Sequence, residues 1–219
     1  MKQINIGVTF NNSSRRGLFL LFFISNFAFS QFYHGIEMGA NLNSPDFKID
    51  ESAEPSASVG LVLGYMAERE LSDNIYVRFA CNYNKRTFEA ISRKGIYTSD
   101  ENWAVDAIEI PVNLGYYLNV NNRNLQFFVD GGFNIGFNFR ATTKTTIETI
   151  HLDIGSDADI QRMVFGANIG AGLLVKKRLK MRLNYYHGLS SIVNTEGNTW
   201  KNKTLGLSLN YFIRDKQVY

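Results

Sequence analysis

Cysteine and proline are scarce in this chain: its 219 residues include one cysteine, Cys81, and three prolines. A single thiol cannot form a disulfide within the chain, and it cannot supply the several thiolates of a structural zinc site. We therefore predict neither a disulfide framework nor a metal centre. Nothing else in the sequence indicates a cofactor.

A hydrophobic run long enough for a membrane-spanning helix is also missing. The apolar stretch GLFLLFFISNFAF at residues 17–29 has 13 residues, whereas a spanning helix needs roughly 20. Its flanks are those of an export signal: Lys2, Arg15 and Arg16 precede it, and Ala28 and Ser30 supply the small residues of a cleavage site.

This order predicts that residues 1–30 are a cleavable signal peptide and that residues 31–219 form one exported domain. The sequence SRRGLFL at 14–20 also resembles a twin-arginine signal, and a buried N-terminal helix is a further alternative. Cys81 lies far from the predicted cleavage site, which excludes a lipoprotein anchored through a cysteine there.

Without this leader, the chain has no excess of positive or negative charge. The leader carries three of the 23 basic residues and none of the 20 acidic ones, so the exported domain has 20 of each. Because phosphate neutralisation dominates the affinity of proteins for nucleic acids, a chain of zero net charge is a poor nucleic-acid binder. We therefore expect no nucleic-acid partner.

What the exported domain contains is a repeated alternation of apolar and small or polar residues. Period-2 alternation is typical of β-strands with two different faces, and no segment has the pattern of a long amphipathic helix. The pattern recurs in eight segments of about nine to thirteen residues: 35–43, 58–66, 75–84, 107–118, 127–139, 165–175, 179–189 and 204–213.

The connections between these segments alternate in length. Long ones fall near 43–57, 88–103, 140–161 and 190–202, and short ones near 68–74, 119–124 and 176–178. Strands of about 9–11 residues cross a bilayer, and this alternation of loop lengths is typical of outer-membrane barrels. We predict an all-β fold, an eight-stranded antiparallel up-and-down transmembrane β-barrel with both termini in the periplasm.

The two faces of the strands indicate which one meets the lipid. One face carries bulky apolar side chains, and the other mostly Gly, Asn and Ser, which suit the narrow interior of an eight-stranded barrel. The predicted polar network of the lumen, three acids and three bases, is Glu37, Arg78, Glu109, Asp130, Lys180 and Arg182. The aromatic side chains predicted at the membrane interfaces are Tyr33, Trp103, Tyr116, Tyr185, Trp200 and Tyr211.

The chain resembles the PorT-like outer-membrane β-barrel family of Bacteroidota. The resemblance is carried by AIEIPVNLGYYL at 107–118, FFVDGGFNIGF at 127–137, FGANIGAGLLVKKRLKMRLNYYHGLSSI at 165–192 and KTLGLSLNYFI at 203–213, with Gln31 after the cleavage site. It implies an outer-membrane location and an eight-stranded barrel. The founding member of that family is linked to protein secretion, but no motif here carries that role over.

Candidate chemistry in the sequence is sparse. HGLSS at 187–191 places His187 near Ser190 but lacks the G-x-S-x-G nucleophile motif. DIGSDAD at 153–159 clusters three Asp without the calcium-loop pattern, and Val164 stands where its closing Glu would fall. We predict no catalytic residues and no metal ligands.

We therefore predict a non-enzymatic, monomeric integral outer-membrane protein with a side-chain-filled lumen. Its expected partners are outer-membrane lipids and, through its loops, proteins of the envelope or of a secretion system. The alternatives are a soluble periplasmic barrel that binds an apolar ligand, an enzyme that modifies lipids at the outer rim, and a narrow ion-conducting pore.

Overall fold

The computed structural model describes residues 32–48, 53–94, 97–118, 124–145, 148–156, 158–193 and 199–213, so the predicted leader lies outside the described residues. The strands are β1 (Phe32–Lys48), β2 (Ala53–Glu70), β3 (Ile75–Lys94), β4 (Tyr97–Leu118), β5 (Leu125–Lys144), β6 (Thr149–His151), β7 (Met163–Val175), β8 (Leu179–Gly188) and β9 (Thr199–Phe212).

Eight of these strands close into a barrel. Each of β1 to β4 pairs antiparallel with the next strand, β5 pairs with β7, and the series continues through β8 to β9. β1 then pairs with β9 from Gly35↔Phe212 to Lys48↔Thr199, which removes the open edges of the sheet. β6 is a three-residue strand on the far end of β5. The predicted eight-stranded antiparallel barrel is confirmed.

The apolar face of the sheet points outward. On β9 the side chains of Leu205, Leu207, Leu209 and Tyr211 are 40–54% exposed, whereas Asn210 between them is fully buried. The same alternation holds along the other strands of the barrel. A soluble barrel that carries an apolar ligand has the opposite arrangement, so that alternative is wrong. In the described part of the chain no helix is long and apolar enough to cross a membrane, a test that does not apply to strands.

Two of the four predicted long loops are strands instead. Pairing of β3 with β4 continues to Lys94↔Tyr97, and β2 begins at Ala53, so most of 88–103 and 43–57 is sheet. β3 has 20 residues and β4 has 22, twice the length needed to cross a bilayer. The alternation signal is lost there because a sheet that extends into water has no lipid-facing side.

The short connections lie together at the other end of the barrel. The β2–β3 turn spans 71–74, within the predicted 68–74, because β2 continues to Glu70. The β7–β8 turn spans 176–178, as predicted, and 119–123 lie outside the described residues. In outer-membrane barrels the short turns face the periplasm. We call this end the turn end and the opposite end the loop end.

The three prolines occupy positions where a missing N–H donor is tolerated. Pairing of β1 with β2 stops at Asn43↔Ser58, and Pro45 and Pro55 lie beyond it on the two diverging strands. Proline is common on such edges because it discourages pairing with another chain. Pro111 in β4 pairs with β5, but the β3–β4 ladder skips it.

The lipid-facing side chains of β9 allow a prediction about their depth in the membrane. We expect Leu207→Arg to destabilise the barrel by about 2–4 kcal/mol, because a cation is costly on the lipid face near the bilayer midplane. Ile213→Arg, at the turn end of the same lipid-facing row, should cost about 0–1 kcal/mol. Reversible urea unfolding in phospholipid vesicles measures both values, and equal losses would contradict the assigned depths.

Candidate functional site

The polar interior of the barrel gathers all six residues predicted for the lumen. Each of them is at most 6% exposed. They lie on five strands, so the fold brings together residues that are far apart in sequence. The members are Glu37 on β1, Arg78 on β3, Glu109 on β4, Asp130 on β5, and Lys180 and Arg182 on β8.

Two ion pairs occupy the middle of the lumen. Arg78 Nη2 lies 2.5 Å from Glu37 Oε2, and Asn82 donates a second hydrogen bond to the same oxygen at 2.9 Å. Arg182 Nη2 lies 2.7 Å from Asp130 Oδ1, and its Nε also donates to both oxygens of that carboxylate at 3.1 Å. Such multiple charge-assisted bonds fix the planes of both groups.

Amide side chains extend this network between the pairs. Asn113 donates to Asp130 Oδ1 at 3.1 Å and to Asn168 Oδ1 at 2.7 Å, and Asn168 Oδ1 also accepts from Arg182 at 3.0 Å. The inward asparagines of β4 and β7 therefore connect the charges of β5 and β8. Their role explains why Asn recurs on the small-residue face of the strands.

A third pair, nearer the loop end, joins Glu109 to Arg86. Asn84 donates to Glu109 Oε1 at 2.8 Å, and Asn134 donates to Glu109 Oε2 at 2.7 Å. The Arg86 guanidinium also lies 5.3 Å from the centre of the Tyr186 ring. Both carboxylate oxygens of Glu109 are thus satisfied from neighbouring strands.

A fourth pair joins Lys180 to Glu68 at the turn end, where both side chains are fully buried. The Tyr117 hydroxyl donates to Glu68 Oε2 at 3.0 Å. Lys180 Nζ lies 4.1 Å from the ring centre of Tyr76 and 4.0 Å from that of Phe128, so the ammonium is also held by cation–π contacts.

The predicted lumen network does not include Arg86 and Glu68. Each lies two residues beyond the end predicted for its strand, on the inward parity of Asn84 and Met66. Extending the alternation by one step would have found both. With them, the four pairs contain four acids and four bases.

Apolar side chains close both ends of this polar interior. At the turn end, the inner cluster consists of Tyr33, Met66, Tyr76, Ala80, Tyr117, Phe128, Leu174 and Phe212. At the loop end, the outer cluster consists of Phe88, Val105, Ala141, Ile160, Val164, Ile192 and Trp200. Ile160 and Ile192 come from connecting segments that fold over the barrel mouth.

The predicted interfacial aromatics divide into two groups. Tyr116, Tyr185 and Tyr211 are 42–48% exposed on the outward face. Tyr33 and Trp200 are 6% and 0% exposed inside the two clusters, so their predicted interfacial position is wrong.

Trp103 does not lie on the lipid face either. It packs against the outer cluster, with its ring stacked on Phe88 at 5.7 Å. Trp200 meets the same Phe88 ring edge-on at 4.6 Å. The position of these residues near strand ends predicts a membrane interface. They lie at inward-facing positions of their strands, however, and therefore help to close the lumen.

The space left between the two clusters is small. A cavity of about 50 Å³ lies among the central charges and asparagines, enough for a few water molecules. It lies beside Glu37, Arg78 and Arg182, whose charges are already paired. Among the described residues, this central cavity is therefore too small for a substrate.

The candidate nucleophile near the loop end is engaged in backbone contacts. Ser190 Oγ accepts from the Phe165 N–H at 2.8 Å, and the His187 ring lies 6.5 Å from the Tyr185 ring, nearly parallel to it. Among the hydrogen bonds of the described residues, none joins Ser190 to His187. Within the same residues no group of three His, Cys, Asp or Glu side chains could hold a metal ion, and Asp157 lies outside them.

Comparison with known proteins agrees with this geometry. A family model described as "Outer membrane protein beta-barrel domain" matches residues 4–194. The chain belongs to this family. It is an outer-membrane β-barrel protein, and no curated protein matches it in sequence.

Solved structures with a similar fold are distant in sequence. Neisserial surface protein A is 13% identical, with 82% of this chain and 96% of that chain covered and a TM-score of 0.47. OprG from Pseudomonas aeruginosa is 12% identical over 84% and 95%, with a TM-score of 0.48. Ail from Yersinia pestis, crystallised with the heparin analogue sucrose octasulfate, is 14% identical over 84% and 99%, with a TM-score of 0.42.

The buried pair at the turn end yields a stability prediction. Lys180→Met should cost about 3–5 kcal/mol, because it leaves the Glu68 carboxylate buried without its counter-charge. The double variant Glu68→Gln/Lys180→Met should cost less than the sum of the two single changes. Reversible urea unfolding in vesicles, followed by the fluorescence of Trp103 and Trp200, measures the coupling.

A matched control uses an exposed lysine pair. Lys203 Nζ lies 2.8 Å from Asp46 Oδ2, with both side chains more than a third exposed. Lys203→Met should leave the free energy of unfolding nearly unchanged, because an exposed ion pair contributes little to stability. Similar losses for Lys180→Met and Lys203→Met would contradict the role assigned to the buried pair.

Proposed function

We propose that this protein is a non-enzymatic, non-conducting barrel that anchors an interaction surface in the outer membrane. The observation that carries the proposal is the filled lumen, with four ion pairs between two apolar clusters. Because packed side chains fill the interior of the barrel, only its outer surfaces are available for interaction with other molecules.

The absence of conduction follows from the two clusters. Ions would have to cross the inner cluster, where Tyr76, Tyr117 and Phe128 pack around Lys180, and then the outer cluster around Phe88 and Trp200. Both regions are apolar and closely packed, and the central charges are paired with each other. A continuous aqueous path would require the displacement of both clusters.

The proposal that the protein is not an enzyme rests on the loop-end rim. Ser190 Oγ accepts a hydrogen bond from the Phe165 backbone N–H and so caps the end of a strand. Among the described residues, no hydrogen bond joins it to His187. A nucleophile needs an adjacent base within hydrogen-bond reach. The outer-rim enzyme is therefore the weaker alternative.

The extended sheet at the loop end is the surface proposed for interaction. β3 and β4 pair well beyond the length that crosses a bilayer, and the exposed Lys203–Asp46 pair lies on the neighbouring strands β9 and β1. Envelope or secretion-system proteins are the partners we propose for it, in line with the PorT-like resemblance. Export through cleavage of residues 1–30 belongs to the same proposal.

Planar-bilayer recording tests the closed lumen. The purified protein, inserted at known density, should give no discrete current steps. A general porin inserted by the same procedure serves as the positive control. Steps that scale with the amount of inserted protein would contradict the proposal.

Site-specific photo-crosslinking in intact cells tests the interaction surface. A photoreactive amino acid at Asp46, at the loop end, should yield an adduct with another protein. The matched control is the same label at Ser72, in a turn at the opposite end. Adducts from Ser72 and none from Asp46 would place the interaction on the periplasmic side instead.

A further inference from the structure

We propose that the free edge of β4 at the loop end binds an extended, positively charged segment of another envelope protein, which adds one strand to the sheet. We call residues 97–101 of β4 the open edge. This partner is assigned on the basis of the proposed function, because the open edge belongs to the loop-end surface described there. Unpaired backbone N–H and C=O groups on the edge of a sheet are the groups that an added strand bonds to.

The open edge exists because β4 extends further than its neighbour β5. Pairing of β4 with β3 continues through 97–101, but its pairing with β5 ends at Asn102↔Lys144. Beyond that pair the Thr145 N–H donates to the Glu148 carbonyl at 2.9 Å, and the chain returns along the opposite side of β5 as β6. Among the described residues, the open edge therefore pairs with β3 alone.

The register of β4 shows which groups of the open edge face away from β3. In an antiparallel sheet, the N–H and C=O groups of successive residues point alternately to the two sides of the strand. The Tyr117 N–H donates to the Asn74 carbonyl, on the β3 side, at 2.7 Å, and the β3–β4 register has no shift from there to the loop end. Pro111 agrees with this alternation, since the β3–β4 ladder skips it. Odd-numbered residues therefore pair with β3, and the groups of Thr98 and Asp100 point to the open side.

Two other strand edges at the loop end each carry a proline. Pro45 lies on β1 and Pro55 on β2, beyond the last pair that joins those strands. Proline on an edge discourages pairing with another chain, and so does lysine. The open edge has the sequence YTSDE, without proline or lysine. It therefore lacks both of these protections.

The charge of the open edge favours a basic partner. Its sequence includes two acids, Asp100 and Glu101, and no base. The β3 residues paired with these acids are Ile91 and Ala90, which carry no charge. Across a strand pair, opposite charges are favourable and like charges are destabilising. A segment with lysine or arginine at alternate positions therefore fits this edge, whereas an acidic segment does not.

A second copy of the chain fits the open edge less well. Two copies in one membrane have the same orientation, so their β4 strands would run parallel. About a two-fold axis along the membrane normal, each residue of the edge would lie opposite itself. Asp100 would then face Asp100, and Glu101 would face Glu101, which disfavours the dimer.

An NMR titration of the isotope-labelled protein in detergent micelles tests the open edge. The probe is a short peptide of alternating lysine and threonine, compared with the same peptide in which glutamate replaces lysine. The lysine peptide should move the amide signals of Thr98 and Asp100 more than those of Ser99 and Glu101. It should bind about tenfold more tightly than the glutamate peptide, because two acids of the edge then meet opposite charges.

A proline on the open side isolates the contribution of the backbone. Thr98→Pro removes an N–H that points away from β3, so the barrel should keep its urea midpoint while the lysine peptide binds about tenfold more weakly. The matched control is Thr98→Val, which keeps the N–H and should bind the peptide like the wild type.

Photo-crosslinking in intact cells separates the open edge from the rest of the interaction surface. A photoreactive phenylalanine analogue in place of Tyr97 should give an adduct with another protein in the Thr98→Val background and none in Thr98→Pro. Adducts from the label at Asp46, with none from Tyr97 in either background, would overturn the open edge and leave the proposed function in place.

The titration contradicts the proposal in any of three cases. Equal peptide affinity of Thr98→Pro and Thr98→Val would exclude strand addition at this edge. Equal affinity of the wild type for the lysine and glutamate peptides would exclude selection of a basic partner. Movement of the Thr98 and Asp100 signals with protein concentration, in the absence of peptide, would assign the edge to a second copy of the chain.

Discussion

A charge inside an eight-stranded barrel must find its counter-charge among the side chains of the facing strands, because the interior is only wide enough for side chains. This constraint couples residues far apart in sequence: Lys180 and Glu68 are 112 positions apart, and Arg182 and Asp130 are 52 apart. Lys180 on β8 and Glu68 on β2 lie on opposite sides of the β1–β9 junction, so their pair requires the closed sheet. The other three pairs join strands that are neighbours or next neighbours in the sheet. The register of the strands is therefore fixed from the inside as well as by the lipid-facing side chains.

The same constraint divides the molecule into a packed interior and functional outer surfaces. Once four ion pairs and their asparagines occupy the middle, apolar side chains at each end can pack without contact with unpaired charge. The inner cluster does so partly through the rings around Lys180, which serves both the polar network and the apolar plug. In the proposed function, the loop-end sheet is the surface left for interaction.

Most of the fold could be predicted from the sequence, because the bilayer imposes a strict period-2 pattern wherever a strand crosses it. The pattern fails where the sheet leaves the membrane, so the sequence predicts loops at the extensions of β3 and β4 and does not include Glu68 and Arg86 in the lumen network. Tyr33, Trp103 and Trp200 show a second limit. Their nearness to strand ends indicates a membrane interface. Their inward-facing positions, and the connecting segments that fold over the barrel mouth, show instead that they close the lumen.

A lumen closed by the two apolar clusters should exclude water-borne reagents from both ends. The reactivity of Ser208→Cys, at an inward position on β9 that is 4% exposed, measures this exclusion in a Cys81→Ser background. In proteoliposomes with the reagent on both sides, a small cationic methanethiosulfonate should leave this thiol unmodified while it labels Asp46→Cys at the loop end. Modification of Ser208→Cys at a rate similar to that of Asp46→Cys would show that the lumen is open to water.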